Sequence, residues 1–277
     1  MKQDVLGLPV SLAASFDFSF LGRYGRPFCV LDELESGNIA FGMQSERYGR
    51  LFVKFAGAPT MHARKTPEQA VETLRRAAGL YRTLQHSVLM PLLGAGEVAG
   101  GYALVFPWWE GKSLTASEVR KGLKRQPLQA KLRMLDGVFD FHLHCALKRH
   151  VAVGFCSDHV LVDAATGRAA VCGIDLYRPM PAVNDCGMMP GEARFMAPEE
   201  YHQGAPLDGL TMQYAMGALA FSFLSQDASQ ELSGWTASPA LYDVAMRAVS
   251  INRAERYPSL GAFVNAWRAA VRHAIVY

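Results

Sequence analysis

Between Pro27 and Gly57 three short runs, FCVLDEL, NIAFGMQ and RLFVKFAG, are separated by SGN and ERYGR. Apolar, partly β-branched and aromatic runs broken by glycine, asparagine and serine mark strands joined by tight turns, so three antiparallel strands are predicted. The next segment changes period. Thr66 as N-cap, Pro67 at the first helical position and Glu68 in the first turn open a stretch in which Val71, Leu74, Ala78 and Tyr81 recur at helical spacing. One amphipathic helix is expected there. GEVAG and GYALVF add strand signals, and PWWEGKSL, from Pro107 to Leu114, reads as a linker. Helical patterns then dominate: Leu128 to Leu147, Leu210 to Leu224, Pro239 to Val249, and Ser259 to Val276 with its stripe of Leu260, Phe263, Trp267 and Val271. Only two short apolar strands interrupt them, Val160 to Val162 and Ala169 to Ile174, each followed by a carboxylate, Asp163 and Asp175. The expected class is α+β, a small β-rich part followed by a larger helical one.

With 277 residues, half of them apolar, the chain can bury a sizeable core. Its 28 basic and 25 acidic residues nearly balance, which argues against nonspecific nucleic-acid binding as its activity. Cys29, Cys145, Cys156, Cys172 and Cys186 are an odd set without metal-type spacing, as expected of reduced thiols in the cytoplasm, and zinc is not expected. In the opening MKQDVLGLPVSLAAS, Asp4, Gly7 and Pro9 break the pattern of a secretion signal, leaving an ordered or loose arm. The longest apolar run, Tyr214 to Leu224, is too short for a bilayer and fits a helix buried in the core, so no membrane role is expected.

RLFVKFAG early, LVDAATGRAAVCGIDLY in the middle and RFMAPEE after it resemble, in this order, the eukaryotic-type protein kinase superfamily across nearly the whole chain. Ala197, Pro198 and Glu199 match the kinase A-P-E stretch, and Tyr214 to Gly217 match the start of its buried helix. The chain looks closest to a bacterial kinase-like group whose catalytic loop reads V-A-V-D-F-Y-D-G. This resemblance implies a two-lobed kinase-like fold: an arm over 1–26, an N-lobe over 27–106, a hinge over 107–112 and a C-lobe over 113–277. It implies a cleft for ATP and Mg²⁺ between the lobes, and a structural ion pair between Arg256 and Glu199.

The implied site residues are uneven in quality. Lys54 alternates with Leu51, Val53 and Phe55, so its ammonium lies on the face opposite to theirs. The resemblance makes it a phosphate ligand; by itself it fits better an edge-strand lysine that deters aggregation. Asp175 is the implied Mg²⁺ ligand, a hard carboxylate for a hard ion, although an aspartate at a strand end also starts turns. Leu176 and Tyr177 stand where Phe-Gly is usual. Asp32, Leu34 and Gly37 fall where a glycine-rich phosphate clamp would stand, with one glycine of three, and Ser36 to Asn38 fit a hairpin turn as well. The lysine-pairing glutamate falls at Ala77. Backbone groups from Phe106 to Trp108 and Trp109 would meet adenine, with Pro107 unable to donate.

In the catalytic loop, Gly154 stands where the aspartate that accepts the substrate proton is expected, and His159 where an asparagine would hold a second metal. Asp158 is the acid left in that loop, and Glu192 stands where many kinases have a threonine touching the catalytic aspartate. As a substitute base either has a plainer alternative, a solvated turn residue and an exposed glutamate in a mobile loop. Between Tyr177 and Glu200 there is no serine, threonine or tyrosine, so this segment offers no hydroxyl for phosphorylation. Three functions follow as expectations. One is an ATP- and Mg²⁺-dependent phosphotransferase acting on a protein Ser/Thr hydroxyl, with Lys54, Asp175 and either Asp158 or Glu192 in its site. Another is a pseudokinase scaffold that binds nucleotide or a regulatory protein partner. The third, a small-molecule kinase of the aminoglycoside type, fits RFMAPEE poorly.

Overall fold

The computed structural model describes residues 1–275, so the expected helix end at Val276 lies outside the described residues. The chain forms two compact units of mixed α+β character, Met1–Glu110 and Gly111–Tyr277, the first rich in strands and the second mostly helical.

The first unit contains β1 (Lys2–Val5), β2 (Leu8–Ser11), β3 (Arg26–Leu31), β4 (Asn38–Ser45), β5 (Gly49–Ala56), α1 (Pro67–Thr83), β6 (Gly94–Val98) and β7 (Gly101–Pro107). Five of these strands make one antiparallel sheet in the order β3-β4-β5-β7-β6. Alternation along β5 sends Leu51, Val53 and Phe55 to one face, where they join Phe41 of β4 and Val105 of β7 in a buried cluster. The arm completes that cluster. β1 and β2 pair as a hairpin, and Val5, Val10, Leu12, Phe18 and Leu21 pack with the sheet; Phe18 and Phe20 hold their rings 6.2 and 4.7 Å from Phe55. Each buried phenylalanine contributes about 1.5–3 kcal/mol, so the arm is an integral layer of this unit. The opposite face is covered by α1, whose Tyr81 meets Phe106 at 4.9 Å. Thr66 caps α1 as expected, accepting from Gln69 N while the Gln69 side chain accepts from Thr66 N.

The second unit contains β8 (Lys112–Ser113), α2 (Ser117–Arg125), α3 (Leu128–Leu147), β9 (His150–Val151), β10 (Val160–Asp163), β11 (Arg168–Val171), β12 (Arg178–Pro179), β13 (Ala182–Val183), β14 (Pro206–Leu207), α4 (Gly209–Leu224), α5 (Pro239–Ala248) and α6 (Leu260–Ile275). α4 is apolar around most of its circumference and is buried accordingly, as expected of a central helix. Phe139 of α3 stacks at 5.3 Å on both Phe263 and Trp267 of α6, and Arg268 reaches back to Asp136 and Asp140 at 2.6 and 2.7 Å. β8, β10 and β11 form a three-stranded antiparallel sheet beside these helices. Among the described residues no helix is long and apolar enough to cross a membrane.

Candidate functional site

Lys54 lies on β5, the central strand of the five, and pairs in register with Leu104 of β7 and Ala40 of β4. An edge-strand role is therefore excluded. Phe52 shares its face, and Phe52 pairs with Phe106, on which α1 rests, so Lys54 belongs to the helix-covered side of the sheet. Ala77, where a glutamate would be expected, is fully buried on α1.

Gly37 closes the β3–β4 turn, its N–H bonded to Leu34 O at 3.2 Å, with Ala63 and Ala70 against it. The same loop is tied down elsewhere. Asp32 accepts from Ser11 N of the arm at 2.6 Å, and Glu35 pairs with Arg64 at 2.8 Å. These bonds hold the loop as a hairpin connection and commit the Asp32 carboxylate to the arm.

At the end of β7, Trp108 donates its backbone N–H to Arg50 O at 3.0 Å, so this group is already engaged. The Arg50 guanidinium sits 4.8 Å from the Trp108 ring and 4.5 Å from Phe28, and it pairs with Glu110 at 2.6 Å. Phe106 is buried.

In the second unit the other sequence-derived residues come together. A 3-10 turn, Ser157–His159, leads into β10; a second, Ile174–Leu176, follows β11 and carries the buried Asp175. Antiparallel pairing of β10 with β11 brings these turns side by side. Gly173, at φ 67°, takes the left-handed conformation that starts the second turn, and the His159 ring lies over it, so that a Cβ at Gly173 would collide with His159 Cδ2. Gly154, at φ 69°, lies against Leu176; a Cβ there would fall 2.7 Å from Leu176 Cδ1 and 3.1 Å from Pro190 O. A side chain where an aspartate was expected would therefore be strained by the backbone and would have to push Leu176 aside.

Asp158 accepts from Thr115 Oγ1 at 2.7 Å. Glu192 folds back onto the loop, where one oxygen accepts from Ser157 N and Oγ at 2.9 and 2.6 Å and the other pairs with Arg194 Nε at 2.6 Å. It is an anchored residue of this site and not a solvated loop glutamate. Tyr177 is buried; His142, on α3, holds Nδ1 2.8 Å from Val138 O and Nε2 2.9 Å from the Tyr177 hydroxyl. A carbonyl can only accept, so Nδ1 carries the proton and Nε2 accepts from Tyr177. The segment after Asp175 is thereby fastened to α3. Burial pushes the neighbouring Cys156 thiol up to about 11, so it remains protonated at neutral pH.

The expected Arg256–Glu199 pair is present at 2.8 and 3.0 Å, and Arg253 adds a contact at 2.6 Å that the sequence reading missed. The spacing of Arg253 and Arg256 across one tight turn was the available signal. Burial pushes the Glu199 pKa upward, yet the bonds from Arg256 and its own backbone outweigh this and leave it lowered. Glu200 differs. Burial, reinforced by the Glu199 charge, pushes it up to about 7 against the opposing bond from Ala197 N. A carboxyl raised above its unfolded value of 4.5 favours the fold below that pH, and this contribution is lost as pH rises through about 7. Glu200→Gln is therefore expected to unfold later than the wild type at pH 8, by up to about 3 kcal/mol in urea melts, and to match it at pH 4. An equal difference at both pH values would contradict this.

Among the described residues no group of three or more His, Cys, Asp and Glu side chains is placed to hold a metal ion. No protein-family model and no curated protein matches this sequence.

Proposed function

We propose that this chain is a protein kinase-like domain acting as a pseudokinase, a regulatory scaffold that engages a protein partner. The observation that carries this reading is Gly154. Glycine carries no carboxylate to orient a hydroxyl nucleophile, and its left-handed backbone, close to Leu176 and the Pro190 carbonyl, would strain any side chain placed there. Of the two candidate replacements, Glu192 has both oxygens engaged by Ser157 and Arg194, and Asp158 accepts from Thr115. Tyr177 stands where glycine would permit a flexible switch, and its bond to His142 suits a fixed binding surface instead.

The residues present do not fit a two-metal Mg²⁺–ATP centre. Asp175 supplies a carboxylate, but the second position is the imidazole of His159, and Mg²⁺ prefers oxygen ligands. A phosphotransferase reading keeps one point in its favour, the central-strand position of Lys54. Loss of a general base slows a reaction by about 10²- to 10⁴-fold without abolishing it.

The deciding experiment is radiolabelled phosphate transfer from ATP with Mg²⁺ to a generic protein substrate. Incorporation by the wild type is expected to equal that of Asp175→Ala; incorporation that disappears in Asp175→Ala and Lys54→Ala would overturn the pseudokinase reading. A parallel thermal melt reports nucleotide binding separately. A ligand at a hundred times its Kd stabilises by about 2.7 kcal/mol, which corresponds to roughly 5–10 °C for a chain of this size.

A further inference from the structure

A cavity of about 70 Å³ in the second unit is walled by α2, the loop before β10 and the end of α4. Arg120 of α2 and Arg194 both line it, together with Glu192. Its hydroxyl protons are already given away: Ser157 Oγ donates to Glu192 at 2.6 Å, Thr115 Oγ1 to Asp158 at 2.7 Å, and Ser222 Oγ to Ala218 O at 3.3 Å. The donors left over are guanidinium N–H groups. Arg194 commits its Nε to Glu192, which leaves its two Nη groups, and the Arg120 side chain has no ion pair or hydrogen bond among the described residues. Among the lining side chains Arg120 and Arg194 stand against Glu192, whose charge is met by the Ser157 N–H and O–H, while the Asp158 carboxylate lies behind Thr115.

Two planar forks with uncommitted N–H groups select an acceptor with several charged oxygens, and phosphoryl oxygens meet such forks bidentately. Size narrows the choice. At roughly 10–15 Å³ per water on this measure, the cavity has room for one phosphoryl group and none for a nucleoside triphosphate. Ala228, also on the wall, is held at φ 61°, a left-handed conformation that costs a non-glycine residue energy and that collects at ligand sites.

We propose that this cavity binds the phosphoryl group of a phosphomonoester, with Arg120 as its principal donor and Arg194 as the second. Every residue that lines it lies in the second unit, and Ser157 and Glu192 are shared with the loop described above.

Calorimetric titration of the full chain at low salt with O-phosphoserine, a phosphoserine peptide, the same peptide unphosphorylated and inorganic phosphate tests it. Both phosphomonoesters are expected to bind saturably and the unphosphorylated peptide not to bind. A stronger response to the peptide than to O-phosphoserine would identify a partner protein as the source of the group, and equal responses a small metabolite. Arg120→Gln is expected to weaken binding by about tenfold or more, and Arg120→Lys, which keeps the charge without the fork, by less. Arg120 is exposed, so both variants should melt with the wild type. The proposal is overturned if neither phosphomonoester binds, if inorganic phosphate alone binds, or if Arg120→Gln binds as tightly as the wild type.

Discussion

Arg256→Met is expected to destabilise the chain by about 3–5 kcal/mol, the usual cost of leaving a buried charge without its partner. Arg256 is almost fully buried and holds three elements at once: both oxygens of Glu199, the Leu210 carbonyl in the first turn of α4 at 3.1 Å, and the Ser250 carbonyl beyond α5 at 2.8 Å. Methionine fills part of the volume but returns none of these bonds. Arg253 remains on Glu199 and softens the loss, so the lower end of the range is expected for Arg256→Met and the upper end for Arg253→Ala combined with it. Urea melts at neutral pH measure both. Changing Glu199 to leucine together with Arg256→Met should recover part of the loss, because an apolar pair removes the stranded carboxylate. A single-variant cost below about 1 kcal/mol would mean that water reaches Glu199 and that the pair is not architectural.

Putting an aspartate at Gly154 is the second large effect, expected as a loss of stability with no gain in phosphoryl transfer. A left-handed residue bearing a Cβ costs about 1–2 kcal/mol, and forcing that carbon against the Leu176 methyl and the Pro190 carbonyl adds about 1–3 kcal/mol. The total is about 2–5 kcal/mol. Gly154→Ala is the informative control, because the collision begins at the Cβ; it should cost nearly as much. If Gly154→Asp melts with the wild type and transfers phosphate, the loop has a second backbone conformation and the pseudokinase reading fails.

Local chemistry was legible in the sequence. Thr66, Pro67 and Glu68 place the start of α1 because capping uses neighbours in the chain, and the strands of the main sheet follow from apolar runs of five to eight residues broken by turn residues. α2 was missed, since its inward face has little beyond Val119 and Leu123 to set a period. The arm could be read only as ordered or loose: Asp4, Gly7 and Pro9 look like interruptions until Asp4 Oδ1 is seen accepting from Gly7 N to close the β1–β2 turn. Strands of two residues, such as β12 and β13, carry no periodicity at all. In the candidate site, the spacing of Glu199 and Arg256 was readable through the resemblance. The bond from Ser157 to Glu192 was not, because it joins residues 35 apart that only the tertiary fold brings together.

The arm is made before the surface it covers. Phe16, Phe18 and Phe20 leave the ribosome well ahead of Phe41, Phe55 and Val105, so these rings lack their full packing until β7 has emerged. At about 5–20 residues per second the interval lasts on the order of 5–20 s, during which the apolar rings of the arm stand open to water.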